Sequence, residues 1–203
     1  MKNIFGLLLA GLLFTSAHAQ RLDLRDINAG KYYARGVQPV TSSADGESYF
    51  QADRDNKMII KYSYKTGLPT DTIFNVKKAR DCTFDSFQGF LISPDEKRLV
   101  VYNDSESIYR HSFKANYYYY DVRRNLVRKL TENKSKQSVP VFSRDGRMLA
   151  YVIDNNIWLA KFDYDTESQV TKDGEINKII NGGTDWVYEL SLITISEPTR
   201  LDV

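Results

Sequence analysis

Turn-forming polar clusters and strand-like apolar runs alternate along the chain from about residue 40 to about residue 185, and the alternation has a long period. Three segments answer one another: Ser43-Ala44-Asp45-Gly46-Glu47-Ser48-Tyr49-Phe50, Ser93-Pro94-Asp95-Glu96-Lys97-Arg98-Leu99-Val100 and Ser143-Arg144-Asp145-Gly146-Arg147-Met148-Leu149-Ala150. Ser and Asp recur at 43/45, 93/95 and 143/145, a spacing of fifty residues. Asp and Ser side chains bond their own backbone in tight turns, and Gly tolerates positive φ, so each cluster predicts a turn. Strands follow, as in Leu99-Val100-Val101-Tyr102 and Met148 to Ile153. Asp154-Asn155-Asn156 then predicts a second turn before Ile157 to Phe162, which together read as a hairpin. A last strand is expected near Leu130-Thr131 in the second unit and near Gln169-Val170-Thr171 in the third. About four short strands per fifty residues, repeated, mark a β-propeller blade. A sandwich with coincident turns is the competing arrangement. No long amphipathic helix is expected over 40–185.

The units differ at one place. In the third, Asp154-Asn155-Asn156 leads straight into the next strand; in the second, the segment Ser105 to Ala115, "SESIYRHSFKA", intervenes. It reads as a loop insertion, and loops carry function more often than scaffolds do. It contains Arg110 and His111; an exposed polar loop with one surface Arg is the plainer reading.

The first twenty residues stand apart. Lys2 gives a positive start, Ile4 to Phe14 is apolar, and Ala17-His18-Ala19 precedes Gln20 in an A-x-A cleavage pattern. This predicts a secretory signal peptide, with an apolar run too short to span a bilayer. The mature chain is therefore expected outside the cytoplasm, in a periplasm or at a cell surface. Cys82 is the one cysteine, so no internal disulfide can form; it is expected in a strand-like stretch as a small buried hydrophobe.

Composition adds exclusions. The chain has 203 residues, is 42% hydrophobic and 27% charged, and carries a formal charge of +2, so it is globular and lacks a nucleic-acid footprint. Lys77-Lys78-Ala79-Arg80 and Arg123-Arg124 read as solvated faces. Fourteen Tyr favour pleated surfaces. There is no G-x-S-x-G elbow and no Gly-rich phosphate loop. After signal removal His111 is the single His, so a His-based metal site is not expected, and neither is a cofactor. A triad of His111 with Ser107 or Ser112 and Asp104 is conceivable on proximity, but neighbours in sequence rarely converge in triad geometry.

"SIYRHSFKANYYYYDVRR", "FSRDGRMLAYVIDNNIWLAKFD" and "GTDWVYE" together resemble the N-terminal region of dipeptidyl peptidase IV, of the Bacteroidetes type, from about Leu22 to Glu189. The resemblance implies an all-β fold: about three four-stranded blades of an eight-bladed family propeller, which in the family precedes an α/β-hydrolase domain bearing the catalytic Ser, Asp and His. It implies that Leu22 to Ile27 matches the stretch that packs on that hydrolase domain. It implies that Arg110 hydrogen-bonds a substrate carbonyl, with His111 and Ser112 shaping the loop. The partners implied are peptide N-termini; no membrane span is expected, and the sequence does not set the oligomeric state.

Glu189 matches the first Glu of a family run in which two more carboxylates clamp the substrate's α-amino group. Here Leu190 and Ser191 follow instead, neither of which can pair with an ammonium. The expected domains are thus 1–19 signal peptide, 20–39 N-terminal segment, 40–189 partial propeller, and 190–203 a tail without family likeness, for which a frameshift or early stop is the simplest cause. The function implied is that of an N-terminal propeller fragment of a secreted serine dipeptidyl peptidase, which releases X-Pro or X-Ala dipeptides. This fragment would contribute part of substrate recognition and no catalytic group. The alternative is a free-standing periplasmic propeller-type binding module. Three blades are also expected to leave apolar outer faces uncovered.

Overall fold

The computed structural model describes residues 22–34, 38–186 and 189. The expected signal peptide and the tail 190–203 lie outside these residues. The chain divides into two compact units, Met1–Gln38 and Pro39–Val203.

In the first unit the described residues form one short helix, α1 (Leu24–Asn28). Asp23 caps it, its carboxylate accepting the Arg25 N–H at 2.9 Å, which satisfies one of the donors a helix start leaves open. Leu22 and Leu24 are exposed.

The second unit is three successive four-stranded antiparallel sheets. The first contains β1 (Thr41–Ser42), β2 (Ser48–Ala52), β3 (Met58–Ser63) and β4 (Pro69–Asn75). The second contains β5 (Gly89–Ile92), β6 (Arg98–Ser107), β7 (Phe113–Asp121) and β8 (Leu126–Lys129). The third contains β9 (Ser138–Phe142), β10 (Met148–Ile153), β11 (Asn156–Lys161) and β12 (Thr166–Gln169). Strand order follows chain order in every sheet, as in propeller blades, and the chain is a partial β-propeller.

The repeated Ser-x-Asp clusters are the equivalent turn of each blade. Ser43, Ser93 and Ser143 donate their N–H to the carbonyls of Ser48, Arg98 and Met148, each at 2.9 Å. Gly46, Glu96 and Gly146 occupy the left-handed position in the three turns, with φ of 71°, 56° and 69°. Asp154 and Asn155 both have positive φ (47° and 61°), so β10 and β11 are joined by a two-residue turn of the kind that matches strand twist.

The fourth strands begin earlier than the sequence suggests. Asn125 (φ 51°) and Asp165 (φ 50°) complete their turns at once, so pairing starts at Leu126 and Thr166. Leu130 and Thr131 come after β8, where Leu130 N–H still bonds Tyr117 O at 2.9 Å.

Two apolar layers hold the blades together. Between blades one and two, Phe50, Ile59 and Phe74 meet Leu99, Val101, Tyr120 and Val127, with Val76 and Phe87 added by the connection. Between blades two and three, Val100, Ala115, Tyr117 and Leu130 meet Leu149, Tyr151, Ile153 and Ala160. Leu99, Val100 and Val101 are all fully buried because β6 has a neighbouring blade on each side. A strand covered on both faces reads as a continuous apolar run, not an alternating one.

Charged bridges join the same blades at their turns. Glu96 accepts from Ser43 Oγ and from Ala44 N at 3.0 Å, and pairs with Lys61 at 3.0 Å. Arg98 reaches forward to Gly146 O at 3.2 Å and to Asp163 at 2.8 Å. On the side of the third blade away from the second, Val139 and Val141 of β9 are exposed.

Cys82 differs from expectation. It is half-buried in the non-strand connection between blades one and two and packs on the first apolar layer. Its Sγ lies 3.4 Å from Phe84 O, and burial pushes the thiol up, away from the reactive thiolate.

Candidate functional site

The segment Ser105–Ala115 is not an inserted loop. Most of it extends β6 and β7 into a two-stranded arm that outgrows the rest of its blade. The pairs Glu106↔Lys114 and Ser107↔Phe113 continue the ladder beyond a bulge between Asn103 and Glu106. Lys114 forms an ion pair with Glu106 at 3.1 Å, and Tyr102 stacks obliquely on Phe113, ring centres 5.0 Å apart. Only Ile108 to Ser112 turns, closed by Ile108 N–H on Ser112 O at 2.9 Å. Arg110 sits exposed at this tip.

The connection leading into the third blade supports the stem. Ala115 and Gln137 exchange backbone hydrogen bonds at 2.8 and 2.9 Å. The buried Gln137 also accepts Tyr117 N–H at its Oε1, 3.1 Å away. Lys136 lies between two carboxylates of the arm, 2.9 Å from Asp104 and 2.6 Å from Glu106. These partners raise the Lys136 ammonium and lower Glu106, each favouring the other's charged form. Lys136→Met is expected to quicken amide exchange at Glu106 and Lys114 in the arm, with little change in the denaturation midpoint. Unchanged arm exchange would show that the ion pairs do not hold the stem.

The tip is held from elsewhere. Glu189 Oε1 accepts His111 N–H at 2.6 Å and Ser112 N–H at 2.9 Å, across 78 and 77 residues of chain. Glu189 N–H itself bonds Asp185 O at 3.0 Å. Burial alone pushes this carboxyl up. The Ser112 hydroxyl beside it, the two backbone amides and the nearby His111 outweigh that and hold it below the usual glutamate range.

The two sequence-predicted site residues, Arg110 and Glu189, are therefore brought to one end of the arm. A cavity of about 260 Å³ opens there, bordered by Gln88, Tyr102, Ser105 and Arg110. Among the described residues no ion pair engages the Arg110 guanidinium, while its neighbours Asp104, Glu106 and Lys114 are all paired. Asp104 also accepts from Asn116 at 3.1 Å. Sequence reasoning missed Lys136 and Gln137; their turn-like setting before β9 gave no sign that they support a neighbouring blade. A larger hollow of about 520 Å³ lies between β8 and β12, and Arg128 and Asp165 on its rim pair with one another. Among the described residues no group of three or more His, Cys, Asp or Glu could hold a metal, and no helix is long and apolar enough to cross a membrane.

Three successive four-stranded blades, the second extended by a two-stranded arm, define a segment of a β-propeller. Residues 93–192 match the family model described as the dipeptidyl peptidase IV N-terminal region. The crystal structure of Porphyromonas gingivalis dipeptidyl peptidase 4 is 47% identical with a TM-score of 0.81, covering 84% of this chain and 24% of that one. Human prolyl endopeptidase FAP is 30% identical over 172 residues, 85% of this chain and 22% of its own. A probable dipeptidyl-aminopeptidase B of Talaromyces marneffei is 37% identical over 99 residues, 48% of this chain and 11% of its own. The chain belongs to the dipeptidyl peptidase IV family and carries part of its N-terminal region. It spans less than a quarter of the length of these relatives.

Proposed function

We propose that this chain forms part of the substrate-recognition surface of an exported serine dipeptidyl peptidase. Arg110 donates to a backbone carbonyl of a peptide N-terminal segment. Hydrolysis belongs to an α/β-hydrolase domain of the whole enzyme. The observation that carries this reading is the convergence of the R-H-S and D-W-V-Y-E segments through Glu189 and the amides beside Arg110. A guanidinium is always charged and offers a rigid fork of donors, which suits a carbonyl that must be held in one orientation. Family membership favours this over a free-standing binding module. Leu190 and Ser191 stand where family members place amino-group carboxylates, so the ammonium end of a peptide is bound weakly or not at all by this segment.

The test is binding of an unblocked X-Pro peptide to the full chain, followed by calorimetry or by shifts of the arm amides. Arg110→Ala is expected to weaken binding about 10- to 100-fold, the worth of a charged hydrogen bond of about 1.5–3 kcal/mol. Equal affinity of Arg110→Ala and the parent chain would remove Arg110 from the site.

A further inference from the structure

We propose that Glu189 is a positioning residue for Arg110: its carboxylate latches the tip of the arm and does not itself contact substrate. The proposal rests on reading Arg110 as the peptide-binding group. Glu189 Oε1 already receives two N–H donors, from His111 and Ser112. Its Oε2 is buried, and so is Ser112 Oγ beside it, so neither presents itself to a ligand at the surface.

The arm needs such an anchor. Its turn supplies its own acceptor for only some of the donors around Arg110: Ile108 N–H and Tyr109 N–H both go to Ser112 O. The His111 and Ser112 amides are satisfied by Glu189 alone. Hydrogen bonds to a carboxylate are about twice as strong as neutral ones, so one side chain fixes the two peptide planes that follow Arg110. The stem is clamped separately, at Gln137 and Lys136, so the latch acts on the tip. Reach matters too: an Asp at 189 is one methylene shorter and would withdraw from both amides.

Because this carboxyl is held below its ordinary range, the latch is closed above that range and opens as pH falls through the lowered value. His111 is the titratable group beside it.

The experiment compares the full chain with Glu189→Ala and Glu189→Gln by amide exchange and by proton shifts against pH, with no peptide present. Glu189→Ala is expected to exchange His111 and Ser112 at least about 10-fold faster, with the blade amides of Val100 and Leu149 unchanged. In the parent chain the His111 and Ser112 amide protons should titrate together, with a midpoint below the ordinary glutamate value of about 4.3. Glu189→Gln, which keeps an acceptor and His111, should abolish that titration. A merely structural role would not tie these two signals to one carboxyl. Should Glu189→Ala fail to fold, the titration comparison decides alone. Unchanged exchange in a folded Glu189→Ala, or absence of the shared titration in the parent chain, overturns the latch. If these results hold while Arg110→Ala leaves peptide binding intact, the latch stands and the role given to Arg110 falls.

Discussion

Phe74→Ala is expected to lower the unfolding free energy by about 3–5 kcal/mol, the usual loss for a large aromatic removed from a packed interior. Phe74 is 1% exposed and sits where the first two blades meet. Its ring lies 4.9 Å from that of Tyr120 and 5.9 Å from that of Phe87, both edge-on, and 6.5 Å from Phe84. These rings come from the second blade and from the connection leading into it, so the cavity would open inside the joint and not within one sheet. Backbone ladders on either side keep the strands in register, which limits how far the site can collapse. Chemical denaturation checks this, with Tyr164→Ala as the control. Tyr164 is 74% exposed, and its removal should stay within about 0.5 kcal/mol. A loss below about 1 kcal/mol for Phe74→Ala would mean that the joint repacks freely and does not unite the blades.

The second large effect is expected at a glycine. Gly146 has φ of 69°, where a side chain is strained, and a Cβ there would sit 2.6 Å from Asp95 Oδ1 and 2.9 Å from its Cγ. Asp95 cannot step aside easily: Ser93 Oγ donates to it at 2.7 Å and Lys97 N–H at 3.2 Å. Gly146→Ala should therefore cost about 2–3 kcal/mol, left-handed strain plus a displaced turn. Gly46 provides the comparison. It has nearly the same φ, 71°, but nothing within 4 Å of its would-be Cβ, so Gly46→Ala should show the strain alone, about 1 kcal/mol. Equal losses at the two positions in thermal unfolding would rule out the contact between turns.

The same pair of turns shows what the sequence made legible. The Ser-x-Asp spacing of fifty residues identified the blades, because turn chemistry is local and survives in any environment. It did not explain why Glu96 stands where the other two turns have Gly. Glu96 accepts a left-handed φ of 56° while its carboxylate joins Ser43, Ala44 and Lys61 of the first blade, partners about fifty or thirty-five residues away. The arm was misread for a similar reason. Ser105 to Ala115 reads as a loop because its first residues are polar, and their strand character comes from Lys114 across the ladder and from Lys136 in the connection before β9. Arg110 and Glu189 were found through family likeness. That Glu189 receives the two amides that follow Arg110 depends on contacts between distant segments, which no local pattern encodes.

The hydrogen bonds from Glu189 to the arm also set an order in time. The arm and its acceptor are separated by 78 residues. At synthesis rates of about 5–20 residues per second, the tip at His111 is synthesised roughly 4–16 s before Glu189. During that interval the second blade can pair its strands and the third can begin to dock against it, but the tip beside Arg110 has no carboxylate to close on. The geometry of the arm tip is thus completed after the scaffold that bears it, by residues translated once all three blades exist.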